Sequence, residues 1–354
     1  MNFASDNGAG VAPEILEAIV AASRGVAAAY GADEHTKAAE RRLSELFERE
    51  VAAFLLATGT GANALGLGAV APPWSAVFCH EESHIHDDEC GAPEFFTGGA
   101  KLVGIPGEGG KIALEAFRET LARFPRGLVK SVQPGALSLS QATEAGTIYA
   151  LDEIAALCGL AHQYALRTHM DGARFANSIV ALGCTPAQMT WGAGVDILSF
   201  GATKNGALAC EALIFFDPQA AEAFAYQRKR GGHTLSKGRF LGAQMNAYLD
   251  GGLWLRLAAR ANRAADRLGS GLAAIPGVRL AWPRQINEVF PIAPRSVVAP
   301  LQAAGARIYE WTSRAVEPAL APRRNEAFLR LVCSFETSDA EVDQFLAIVR
   351  SHCG

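Results

Sequence analysis

The chain has 354 residues, 50% of them hydrophobic and 19% charged, with a formal net charge of -4, which suits a globular protein of one large domain and a smaller one. With no long run of one charge sign there is no electrostatic footprint for nucleic acid, and with no stretch near 18 uninterrupted apolar residues there is no membrane span. The opening MNFASDNGAG has neither a basic nor an apolar signal region, and the seven cysteines include no CxxC pair, so reduced thiols and a cytoplasmic location are expected.

The first thirty residues read as an extended arm and then a helix with Pro13 near its start. Residues 35–49 carry apolar positions at helical spacing, and the run 51–57 (VAAFLLA) ends in a glycine-rich turn before an Ala/Leu/Gly helix from about 61 to 70. Further apolar runs lie at 76–79, 102–105, 128–132, 166–170, 196–199 and 212–216, with helical patterns at 114–123, 151–162 and 186–192 between several of them. Continuous apolar strands alternating with helices predict a mainly parallel sheet covered on both faces. The pattern weakens after about residue 245, where a long helix over 253–274 leads to short strands near 278–282 and 328–334 and a last helix over 338–351. We expect a large domain over 1–246, including an N-terminal arm at 1–25, and a small α/β domain over 247–354.

Three segments could carry chemistry. TGTGAN (58–63) stands at a strand-to-helix turn, where consecutive backbone amides at a helix N-terminus suit a phosphate; a tight packing turn is the plainer reading. HMDGARFAN (169–177) puts Asp171 at the end of an apolar strand, where ligands of open parallel sheets bind. A carboxylate there can hold a cationic heterocycle nitrogen, and Arg174 could meet an anion, unless the two merely pair with each other. SFGATKNG (199–206) places Lys204 just past a strand, and no other lysine lies between Lys130 and Lys229. A lysine amine becomes a nucleophile when burial or a nearby cation lowers its pKa; the competing reading is a surface lysine.

Together the segments supply an anchor for a phosphate, a carboxylate for a pyridinium nitrogen and an amine for an aldehyde, which are the needs of pyridoxal 5'-phosphate. The GxGxxG fingerprint of a nicotinamide enzyme, with its acidic residue some twenty positions on, is not found.

The motifs SDNGAG, AAYGADEHT, TGTGAN, HEESHIHDDECGAPEF, HMDGARFAN, GVDILSFGATKNG, RKRGGHTLSKGRF and FLRLVCSFET occur in consistent order over most of the chain. On these the sequence resembles the fold-type I pyridoxal-phosphate enzymes, and within them the low-specificity L-threonine aldolase branch of the β-eliminating lyase family. The resemblance implies an α/β fold with a mainly parallel seven-stranded sheet and a small C-terminal α/β domain. It implies cleavage of L-β-hydroxy-α-amino acids such as threonine, allo-threonine or phenylserine to glycine and an aldehyde. It makes Lys204 the Schiff-base lysine, Asp171 the partner of the pyridine nitrogen and His84 the residue stacked on the ring, with Gly59 and Thr60 at the phosphate. Ser5, Arg174 and Arg330 would bind the substrate carboxylate, and Arg230 would reach the phosphate of a neighbouring subunit in a homodimer or homotetramer.

No metal is expected, although His80, His84, His86, Asp87, Asp88 and Glu89 are close in sequence. Many members of the branch carry a histidine in a THNG-like segment after the strand ending near residue 140, where this chain reads SLSQATEAGTIY. Receipt of the β-hydroxyl proton therefore falls to Glu144, His86 or a bound water, with His84 the first candidate to act beyond stacking. The alternative activities are another β-elimination or a transamination at the same Lys204 and Asp171, and, outside catalysis, a regulator or carrier with this fold.

Overall fold

The computed structural model describes residues 1–353. Seven strands form the main sheet: β1 (Ala52–Leu56), β2 (Ser75–His80), β3 (Lys101–Ile105), β4 (Gln133–Ser140), β5 (Arg167–Gly172), β6 (Ile197–Gly201) and β7 (Glu211–Phe215), in the order β1-β7-β6-β5-β4-β2-β3. The contacts among β6, β5, β4, β2 and β3 are parallel, and β7 runs antiparallel to both its neighbours. The strands are apolar on both faces because helices cover both; β2, β6 and β7 are buried throughout.

The apolar run at 128–132 is not a strand. It lies in a turn where Val129 is fully exposed, and β4 begins at Gln133, whose side chain receives a hydrogen bond from Gly127 N and donates to Leu128 O and Ser131 O. The strand sits one step later because Pro134 and Gly135 obscure its pattern. Their irregularity is absorbed where the pairing jumps from Ala76 with Pro134 to Val77 with Ala136, which lets a proline occupy a central strand.

A second, antiparallel sheet contains β8 (Arg279–Leu280), β9 (Glu288–Val289), β10 (Pro291–Pro294), β11 (Tyr309–Glu310) and β12 (Glu326–Val332), with β12 paired to β9, β10 and β11. The helix Leu253–Ala273 joins the two sheets. Its buried residues recur at helical spacing: Leu253, Trp254, Leu257 and Ala258 belong to the core under the large sheet, whereas Ala264, Ala265, Leu268 and Leu272 belong to the core of the small one. The expected division at 246/247 falls near the end of the preceding helix, Arg239–Leu249.

The N-terminal arm crosses to the small sheet. Phe3 is fully buried in that core, its N–H donates to Arg307 O, and its carbonyl accepts from Val332 N. This anchor delivers Ser5 and Asp6 to the edge of the large sheet. No helix among the described residues is long and apolar enough to cross a membrane.

Candidate active site

A cavity of about 480 Å³ opens along one edge of the large sheet. The strands that run parallel end there, and β7, running the other way, begins there. The edge accordingly gathers Thr58–Gly59–Thr60 after β1, His84 after β2, Glu144 after β4, Asp171 at the end of β5, Lys204 after β6 and Glu211 at the start of β7. The carboxyl ends of parallel strands are where open α/β sheets bind ligands, since backbone leaves the ladder there and side chains converge.

The turn after β1 is capped by Thr58, whose Oγ1 accepts from Gly61 N at 3.1 Å, and the helix Gly59–Val70 starts directly behind it. The first amides of that helix have no partner within it, and they carry its positive end. Nothing lies within 4 Å of the position a Cβ would take on Gly59, whereas the ring of His233 stands 2.3 Å from that position on Gly61. A side chain at 61 would have to displace the His233 ring.

Asp171 is held from two sides: Oδ2 accepts from Asn63 Nδ2 at 2.8 Å, and Oδ1 accepts from Ala173 N at 2.9 Å. Burial pushes its carboxyl up, but the His84 charge, the Ala173 N–H and the Lys204 charge outweigh this and hold it below the ordinary value. Asn63 Nδ2 also donates to Glu89 Oε1 at 2.8 Å, and the same oxygen is 2.8 Å from His84 Nδ1. The bond to Glu89 raises the His84 pKa, whereas burial raises that of Glu89. Lys204 lies half-buried in the cavity, and its charge acts on Asp6, Asp171 and Glu211. Burial drives Glu211 up to about 7.

The opposite end is built around two arginines. Arg174 does not pair with Asp171. Its Nε and Nη2 donate to the two oxygens of Asp6 at 2.8 and 3.0 Å, and Nη2 is 3.3 Å from Glu288 Oε1. Arg330 Nη2 meets the same Glu288 oxygen at 3.0 Å, and its guanidinium carbon stands 5.0 Å from the centroid of the Trp311 ring. Asn287 Nδ2 adds a bond to Asp6 Oδ2 at 3.0 Å. Burial opposes ionisation of Asp6, yet Arg174 and Lys204 hold its carboxyl low. Arg330 sits on β12, between β11 and β10.

Of the residues singled out from the sequence, Ser5, Gly59, Thr60, His84, Asp171, Arg174, Lys204 and Arg330 all line this cavity. Ser5 also caps the turn after it, accepting from Asn7 N at 3.2 Å. Arg230 does not line it: it is exposed at the end of the helix Phe224–Arg230. Sequence reasoning missed the supporting set of Asp6, Asn63, Glu89, Glu211, Glu288 and Trp311. Asp6 and Asn63 lie inside quoted motifs, but Glu288 and Trp311 have no local signature. A second chamber of about 330 Å³ adjoins the first through Asp88, Glu144 and Trp311, with Trp282 as a further wall.

Known proteins resemble this chain in sequence and in fold. The family model of beta-eliminating lyases matches residues 2–293. The chain is 39% identical over 349 residues to the low specificity L-threonine aldolase of Pseudomonas sp., covering 99% of this chain and 97% of that one. It is 39% identical over 348 residues to the enzyme of the same description from Pseudomonas aeruginosa, covering 98% and 96%. A solved threonine aldolase from Leishmania major superposes with a TM-score of 0.91 at 28% identity, covering 100% and 99%. Serine palmitoyltransferase of Sphingomonas wittichii, 17% identical with a TM-score of 0.73 over 99% and 86%, shares the fold. The fold and site define a fold-type I α/β protein, and the chain belongs to the beta-eliminating lyase family.

Proposed function

We propose that this chain is a pyridoxal-phosphate-dependent aldolase that cleaves L-β-hydroxy-α-amino acids, threonine, allo-threonine or phenylserine among them, to glycine and an aldehyde. The observation that carries the reading is the meeting, on one sheet edge, of an amine (Lys204), an ionised buried carboxylate (Asp171) and a glycine-lined helix start (Gly59, Thr60), with two guanidinium groups facing them. These fit the aldehyde, ring nitrogen and phosphate of the cofactor, and full-length similarity to enzymes described as threonine aldolases supports the reaction.

In this reading Lys204 holds the aldehyde carbon, Asp171 keeps the ring nitrogen protonated, His84 stacks on the ring, and Gly59 and Thr60 take the phosphate. Once bound, the cofactor supplies an electron sink for the pair left at Cα. Ser5, Arg330 and Arg174 orient the substrate carboxylate, and so decide which bond at Cα faces the ring. Because Asp6 and Glu288 engage Nε and Nη2 of Arg174, Nη1 is the nitrogen left for the substrate. The β-substituent extends toward the chamber between Trp282 and Trp311.

The same reading has residues 1–246 form the cofactor domain and 247–354 the small domain that brings Arg330. It has Arg230 reach the phosphate of a second copy, so that the active unit is a homodimer or homotetramer, and it places the protein in the cytoplasm.

The purified protein is expected to be yellow, with a visible band that Lys204→Ala removes. Threonine or phenylserine should yield glycine and the matching aldehyde. A wild type that stays colourless on reconstitution with pyridoxal phosphate would overturn the proposal; keto acid and ammonia in place of aldehyde would move it to β-elimination.

A further inference from the structure

We infer that Glu144 is the group that takes the β-hydroxyl proton when the Cα–Cβ bond opens, an inference that rests on the aldolase reading above. Glu144 follows β4 at the same sheet edge as Asp171; Ser140, the last residue of β4, pairs with Asp171 across the strands. One carboxylate oxygen is fixed, since Oε1 accepts from His84 N at 2.8 Å and from Ser140 Oγ at 3.1 Å. The other is withdrawn from solvent and has no hydrogen-bond partner among the described residues. A buried oxygen with open lone pairs is costly unless a donor arrives.

Its place shows what that donor is. Glu144 lines both the main cavity and the adjoining chamber. A substrate whose Cα lies by Lys204, with its carboxylate on Arg330, must carry Cβ and the hydroxyl past that junction. Held at one oxygen and bare at the other, Glu144 is preorganised to accept a proton there.

The neighbouring histidines are less suited. His84 Nδ1 is engaged by Glu89, which favours the cationic ring, and a cation has no lone pair to receive a proton. His86 is exposed, its Nδ1 is 3.0 Å from Asp87, and it lines neither space. The charged and titratable groups around Glu144 are His84 and Asp88 from the segment after β2, Asp171 and Arg174 at β5, Lys204 after β6, Arg330 on β12, and Cys79 and Tyr149 behind it. Burial and the Asp171 charge push the Glu144 carboxyl up to about 7, against the His84 N–H, so it can exchange a proton near neutral pH.

The step closes without oxidant or reductant. The hydroxyl O–H breaks and its proton goes to Glu144 Oε2; the O–H pair becomes the second bond of the aldehyde C=O. The Cα–Cβ pair stays on Cα, which later receives one proton and leaves as glycine.

Glu144→Gln keeps an Oε1 acceptor for His84 N and Ser140 but loses the base, and it separates two reactions of the holoenzyme. Cleavage of threonine should fall by about 10²–10⁴-fold. Exchange of the Cα proton of glycine with solvent deuterium, read by NMR, needs no hydroxyl base and should stay near the wild-type rate. The wild-type rise of kcat/KM with pH through about 7 should vanish in the variant, while its visible cofactor band and cooperative unfolding remain. Cleavage near the wild-type rate, an unchanged acidic limb, or equal loss of exchange and cleavage would each overturn the assignment. Failure of the aldolase reading looks different, because the wild type then releases no aldehyde, and the inference falls with it.

Discussion

Asp171 is supported from within one sheet: Asn63 behind the β1 turn, the Ala173 amide two residues on, and the His84–Glu89 pair after β2. The two arginines at the far end of the cavity are supported by partners brought from far along the chain, Asp6 from the N-terminal arm and Glu288 from β9. The first end concentrates carboxylates (Asp171, Glu89 and Glu144) around one histidine and one amide, so protons there are shared and pKa values spread apart. The second sets two acids against two arginines in a chain of ion pairs. In the proposed reaction, proton transfer falls to the first end and substrate orientation to the second.

The largest expected effect falls on the amine between the two ends. Lys204→Ala should lower aldehyde release by about 10³-fold or more and remove the visible band, in spectra and a coupled aldehyde assay. At the second end, Arg174→Met should leave Asp6 and Glu288 as buried, under-compensated charges and destabilise the protein by about 3–5 kcal/mol in urea unfolding. Arg330→Met, which leaves Glu288 its contact with Arg174, should raise KM and cost about 1–2 kcal/mol of stability, less than Arg174→Met. Equal destabilisation by both would mean that the arginines are not divided in this way.

At the shared end, Asp171→Asn should reduce turnover by about 10²-fold and cost about 1–3 kcal/mol of stability, since its single carbonyl oxygen can meet only one of the two donors, Asn63 Nδ2 and Ala173 N, and its NH2 faces the other. Glu144 also ties stability to pH. Its carboxyl titrates near 7 in the folded protein and near 4.5 when unfolded, so the folded state resists ionisation. That penalty is absent below about 4.5, grows as pH rises and is complete above about 7. Glu144→Gln should therefore stabilise the apoprotein at pH 8 by about 3 kcal/mol, seen as a higher melting temperature, and leave it unchanged near pH 4; calorimetry at the two pH values checks this.

Lys204, Asp171 and the 58–63 turn were legible because each follows an apolar strand, and strand ends in a parallel sheet share one edge. The parallel sheet was legible for the same reason, except for β4, whose Pro134 and Gly135 hid it and shifted the expected strand into an exposed turn. The family motifs carried Ser5, His84, Arg174 and Arg330 to the cavity as well, but their partners were not readable. That Arg174 faces Asp6 and not Asp171, three residues away, depends on Phe3 burying itself in the distant small core.

The sequence by itself determined which chemical groups the protein owns and that most of them follow apolar strands, since continuous apolar strands alternating with helices make a mainly parallel sheet whose strand ends share one edge; the strand order and the reversed β7 came from the tertiary structure. Only the tertiary structure decided how those groups are charged. Ionisation depends on burial and on partners far along the chain, as for Asp6 beside Arg174, 168 residues away, and for Glu144, with one oxygen tied to His84, 60 residues away, and the other left bare.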